Sequence, residues 1–70
     1  MNWVSVDSSR AKAVSYDAFE RVIYVLFHDG VVYQYKNCDS NVWEELIDPF
    51  TSVGRFISDE LDHHPYRRIR

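Results

Sequence analysis

Several groups of side chains in this chain have types and spacings that could do chemistry, and each has a plainer alternative. His63 and His64 stand beside Asp59 and Asp62, and imidazole with carboxylate is a donor set that suits zinc. Adjacent residues on a helix diverge by about 100°, so one helix cannot aim both imidazoles at one ion without distortion, and no metal site is expected. Cys38 with His28 or His63 would make a nucleophile and its base if the two came within hydrogen-bond reach. No surrounding pattern asks for that pairing. A lone cysteine reads more simply as a small buried apolar residue, so no catalytic residue is assigned. The chain also lacks a nucleophile elbow, a phosphate loop and a metal quartet, and the expectation is a protein that is not an enzyme and carries no cofactor.

Three further groups bear on binding. Tyr33 and Tyr35 are two apart on a candidate strand, a spacing at which aromatic platforms stack bases in RNA-binding sheets. The alternative places both rings under helices as core, with their hydroxyls at the rim. Ser52 and Gly54 open a candidate helix, where small residues leave backbone donors free for an anion; a simple cap is the plainer role. Arg67, Arg68 and Arg70 form a basic tail over residues 66–70 that could contact phosphates. Three arginines supply few phosphate contacts when the rest of the surface is repulsive.

A length of 70 residues allows one domain with a small core. Two Trp, five Tyr and four Phe gather the buried area that so short a chain needs. The net charge is −3, but it is uneven: the first 66 residues hold five bases against eleven acids, a net of −6, and the tail holds +3. An acidic body argues against a phosphate-backbone binder. One cysteine excludes an internal disulfide and fits a reducing compartment. Nothing at the N-terminus resembles a signal peptide, and no apolar run approaches the roughly 18 residues of a membrane span, so the expected location is the cytoplasm, away from the membrane.

The elements that must position these groups centre on Val22 to Lys36, two β-rich runs hinged on Asp29-Gly30. Side-chain alternation chooses the register. A two-residue loop would set Phe27 opposite Val32 and mix Gln34 and Lys36 into the core face. A three-residue loop, His28-Asp29-Gly30 with Gly30 left-handed, sets Phe27 opposite Val31 and collects Ile23, Val25, Phe27, Val31, Tyr33 and Tyr35 on one face. The second register segregates the polar residues and is the one expected. Its other face carries Val22, Tyr24, Leu26 and Val32.

Ahead of the hairpin, residues 1–7 read as a short strand or an extended arm through Trp3. Ala11 to Tyr16 alternates as a half-buried strand, with Val14 and Tyr16 toward the core and Ala11, Ala13 and Ser15 away from it. A link of about four residues sets it antiparallel beside the hairpin. After Lys36 the period changes. Asp39 or Ser40 caps a helix carrying Val42, Trp43, Leu46 and Ile47; Pro49 ends it; Thr51 or Ser52 caps a second with Val53, Phe56, Ile57 and Leu61 inward.

The order Ser8-Ser9, Val14-Ser15-Tyr16-Asp17, Val25-Leu26-Phe27, Gly30, Tyr33-Gln34-Tyr35 and Thr51-Ser52-Val53-Gly54-Arg55-Phe56 resembles the KTSC domain, a small bacterial domain also found at the C-terminus of some lysyl-tRNA synthetases. The resemblance runs from about Val6 to Tyr66. It centres on the Tyr-Xaa-Tyr of Tyr33 and Tyr35, with the Ser-Xaa-Gly of Ser52 and Gly54 as a second mark. It implies a family without an established activity, for which synthetase attachment suggests RNA binding. The acidic balance and Asp48-Pro49-Phe50 are departures from the family pattern.

The expected architecture is therefore α+β: residues 1–70 as a single domain, a three-stranded antiparallel meander with two short C-terminal helices on one face. The expected role is a small non-catalytic module for protein binding or self-association through Val22, Tyr24, Leu26 and Val32, four apolar residues that two helices cannot also cover. The alternative is an RNA-binding accessory domain using Tyr33, Tyr35, Ser52, Gly54, Arg67, Arg68 and Arg70.

Overall fold

The computed structural model describes residues 1–70. Its strands are β1 (Val4–Ser5), β2 (Ala11–Asp17), β3 (Val22–Phe27), β4 (Val32–Tyr35) and β5 (Tyr66–Arg68). Between β4 and β5 run α1 (Ser40–Leu46), α2 (Val53–Asp59) and a 3-10 turn at Leu61–His63. The class is α+β with an antiparallel sheet and two helices, but the sheet has five strands in the order β1-β2-β3-β4-β5, and three was an undercount. The two additional strands are its edges. At two and three residues they are too short for alternation to register, and they form because β2 and β4 offer open edges with unpaired backbone groups. The N-terminal arm thus supplies β1, and the basic tail supplies β5.

The central hairpin has the three-residue loop. Leu26 lies opposite Val32 and Val25 opposite Tyr33. Phe27 N–H donates to the Val31 carbonyl at 2.9 Å, and Gly30 has φ +89°, a region a β-carbon disfavours. Ile23, Val25 and Tyr35 are buried on the helix-covered face with Val14, Leu46, Val53, Phe56, Ile57 and Leu61. Phe27, Tyr33 and Trp43 only pack against that cluster, partly buried. Tyr16 also faces this side and stacks on Trp43 at 5.3 Å between ring centres.

Three local expectations change. Ala11 pairs with Phe27 while Ala13 pairs with Leu26, so the strand is irregular at Lys12. A bulge there shifts the alternation by one residue and turns Ala11 into the core, where it is fully buried, away from the face of Ala13 and Ser15. Ile47, expected on the inward stripe of α1, follows the last helical turn and is exposed. Neither helix is capped by a side chain: Asp39 pairs with Arg21 at 2.7 Å, and Ser52 makes no capping bond. Thr51 Oγ1 instead donates to the Glu45 carbonyl at 2.6 Å, tying the interhelical turn to α1.

The opposite sheet face has no helices, yet it is not bare. Ser5 pairs with Ala13 and Val4 with Val14, which sets Trp3 alongside Ser15 on that face. Met1, Trp3, Val32 and Ile69 border one depression there. Val22 and Val32 are buried, and Tyr24 and Leu26 are half-buried. No helix is long and apolar enough to cross a membrane.

Candidate functional site: an aromatic groove at the open end of the sheet

On the helix side of the sheet, Tyr35 of β4 is buried with the core residues of α1 and α2, whereas Tyr33 is half-buried and Tyr66 of β5 is exposed, so this face opens toward Tyr33 and β5. Two cross-strand rows meet there. Val25, Tyr33 and Arg68 form one, and Ile23, Tyr35 and Tyr66 form the other. Residues two apart on a strand share a face, so Tyr33, Tyr35, Tyr66 and Arg68 all project into the opening. Tyr33 and Tyr66 are stacked, 5.8 Å between ring centres and 20° between planes. Phe27 meets Tyr33 edge-on at 5.8 Å, and Tyr35 lies tilted beneath Tyr66 at 5.6 Å. These offset and edge geometries are the favoured ones for aromatic pairs. The groove they line measures about 640 Å³. Its floor is deep at Tyr35, which is buried, and open at Tyr66, which is 51% exposed.

The rim is polar and largely committed. Arg10 Nη1 donates to the Gly54 carbonyl at 3.1 Å and to Ser58 Oγ at 2.8 Å, with its guanidinium 6.0 Å from the Phe27 ring centre. His28 Nε2 donates to the Ser8 carbonyl at 2.7 Å, since a carbonyl only accepts. Asp29 Oδ1 accepts the Val31 N–H inside the hairpin loop. Arg68 Nε donates to the Arg70 carbonyl at 3.2 Å, and no acid pairs with its charge. Burial, and next the nearby Asp62 carboxylate, push the Tyr35 hydroxyl far above the usual phenol range. It stays a neutral donor or acceptor at any physiological pH.

A second constellation lies behind the groove. Cys38 Sγ is 3.6 Å from Nδ1 of His64, not of His28 or His63. His64 Nδ1 also lies 3.0 Å from the Lys36 carbonyl, and its Nε2 is 2.9 Å from Glu60 Oε2. The Lys36 carbonyl can only accept, so the Nδ1 proton is committed there and the ring cannot take the thiol's proton through that nitrogen. Cys38 is fully buried, and burial pushes its thiol up to about 11. The cluster holds the β4–α1 turn to the end of the 3-10 turn. A protonated, enclosed thiol is a poor nucleophile.

The residues proposed for RNA or an anion are scattered. Tyr33, Tyr35 and Arg68 meet in the groove, whereas Arg67 pairs with Gln34 and projects from the opposite face. Arg70 borders the depression beside Trp3. The Gly54 carbonyl is taken by Arg10, and Ser52 lies in a hollow lined by Glu45, Asp59 and Glu60 with only Arg55 to offset them. Tyr33 is only half-buried, packed against the edge of the core cluster, whereas Tyr35 is inside it. Of the patch proposed for a partner, Val22 and Val32 are inside the fold. Sequence reasoning missed Tyr66 and Arg10. The alternation of Tyr66 with Arg68 after Pro65 was the available signal for the first, and none pointed to the second.

The chain matches the model of the KTSC domain over residues 7–66. Among solved structures it is similar to the crystal structure of a KTSC domain protein from Yersinia pestis, with a TM-score of 0.89 at 24% identity, covering 99% of this chain and 97% of that one. No curated protein matches its sequence. The five-stranded sheet with its pair of helices and the matched span of 7–66 agree, and the chain belongs to the KTSC domain family.

Proposed function

We propose that this domain is a small non-catalytic module that binds a protein partner in the groove of Tyr33, Tyr35 and Tyr66. The observation that supports it is the open stack of Tyr66 on Tyr33, an aromatic floor flanked by Arg68, whose guanidinium makes no salt bridge. Exposed Tyr and Arg side by side are the types that dominate protein recognition. The Tyr24 and Leu26 face gives less support, since its neighbours Val22 and Val32 are already buried. RNA is the weaker ligand on charge, because Arg10 is engaged with α2 and the body carries −6 over 66 residues. The closed thiol of Cys38 is consistent with a non-catalytic role and with a reducing compartment such as the cytoplasm.

Photo-crosslinking tests the reading. With benzoylphenylalanine in place of Tyr66, the full chain in its native cells is expected to form discrete protein adducts that survive ribonuclease. The same group in place of Phe19, which is 93% exposed, controls for indiscriminate contact. Adducts that ribonuclease removes, or none beyond the Phe19 control, would overturn it.

A further inference from the structure

We infer that the outer edge of β5 receives an extended acidic peptide as a sixth strand. The inference rests on the groove being a protein-binding surface and names the form and charge of the partner. Strand β5 ends the sheet order, so one of its sides is unpaired. Lys36 N–H donates to the Pro65 carbonyl at 2.8 Å and Ile69 N–H to the Val32 carbonyl at 2.9 Å. Alternation in an antiparallel ladder then turns the backbone N–H and C=O of Tyr66 and Arg68 outward. Main-chain groups presented this way bind an added strand, and alternate side chains supply specificity.

The side chains of the same two residues lie on the groove face, opposite Tyr35 and Tyr33. An added antiparallel strand sets one residue beside Tyr66 and the residue two positions before it beside Arg68. An aromatic or aliphatic side chain at the first position covers the exposed Tyr66 ring. A carboxylate at the second meets a guanidinium that has no acid partner.

Charge favours an acidic peptide over a second copy. The body bears −6 and Arg67, Arg68 and Arg70 bear +3, so the most basic stretch of the chain lies along this edge and attracts an acidic segment, against Asp29 and Asp62 on the groove wall. Two β5 edges would bring six arginines together, the kind of charged edge that prevents pairing between copies.

The test is a fluorescein-labelled octapeptide with phenylalanine and glutamate two residues apart among serines, titrated into the full chain and followed by anisotropy. Binding is expected to be saturable and weakened by salt. N-methylation of the two residues that face the edge is expected to weaken it at least about tenfold, and methylation of their neighbours to leave it nearly unchanged. Arg68→Glu, with its melting temperature checked, is expected to cost about as much as methylation, and the largest amide shifts are expected at Tyr66 and Arg68. No saturable binding up to about 1 mM, or equal affinity for both methylated isomers, overturns the inference. A dimer in sedimentation that Arg68→Glu dissolves also overturns it, by seating a second copy on the edge. Binding that Tyr33→Leu abolishes but methylation does not affect overturns strand addition alone and leaves the groove reading standing.

Discussion

Arg10 Nη1 donates to the Gly54 carbonyl at 3.1 Å, joining the start of β2 to the first turn of α2 across 44 residues of chain. The stem of Arg10 lies over Gly54, so a β-carbon built there would sit 3.5 Å from Arg10 Cδ. That is ordinary contact. The glycine of the Ser-Xaa-Gly mark is therefore compatible with alanine, and its carbonyl matters more than its missing side chain.

Gly54→Ala is accordingly expected to leave the fold intact and to stabilise it by a few tenths of a kcal/mol, up to about 1, from helix propensity. Arg10→Ala is expected to destabilise by about 1 kcal/mol, because two hydrogen bonds from an exposed charged donor are lost. Urea midpoints of the two variants check both signs.

Gly30→Val is expected to act in the opposite sense to Gly54→Ala. Nothing crowds Gly30, but its φ of +89° is one that a β-branched residue resists. A loss of more than about 1 kcal/mol in denaturant unfolding is expected.

Phe56 is buried in the core cluster that also holds Val14, Ile23 and Val25 of the sheet. Phe56→Ala is expected to cost roughly 3 to 5 kcal/mol, enough to unfold much of a domain this small. Thermal unfolding followed by near-ultraviolet dichroism would read it as loss of the cooperative transition at ordinary growth temperature.

Alkaline pH should expose the cost of the buried thiol. Folding raises the Cys38 pKa from about 9 to about 11, so the native state keeps a proton that the unfolded chain has released. That contribution is whole below pH 9 and is lost as pH rises through 11, a fall of up to roughly 3 kcal/mol. The Tyr35 hydroxyl, raised by burial and then by Asp62, adds a decline above pH 10. Urea midpoints measured between pH 8 and pH 11 are expected to fall, and to fall less in Cys38→Ala than in the parent.

What could be read from the chain itself was whatever repeats over a few residues. The hairpin register followed from keeping Gln34 and Lys36 off the face of Ile23 and Val25, and Gly30 followed from the loop that register requires. The inward stripe of Val53, Phe56 and Ile57 followed from helical spacing; Leu61 is buried as expected but from the 3-10 turn beyond the end of α2. Tyr33 and Tyr35 were visible as a pair expected under the helices; Tyr35 is buried there, and Tyr33 is only half-buried at the edge of the cluster.

Tertiary structure decided the rest. Two residues at Val4–Ser5 and three at Tyr66–Arg68 carry no period; their pairing exists only because β2 and β4 present open edges to them. The bulge at Lys12 inverts Ala11 by a shift that alternation cannot foresee. Cys38 finds His64 instead of His63 because the 3-10 turn swings one imidazole back toward the Lys36 carbonyl. The groove itself joins β3, β4 and β5 with Arg10, residues far apart in the chain. Local pattern records which face a side chain takes; only the packed chain determines what lies on that face beside it.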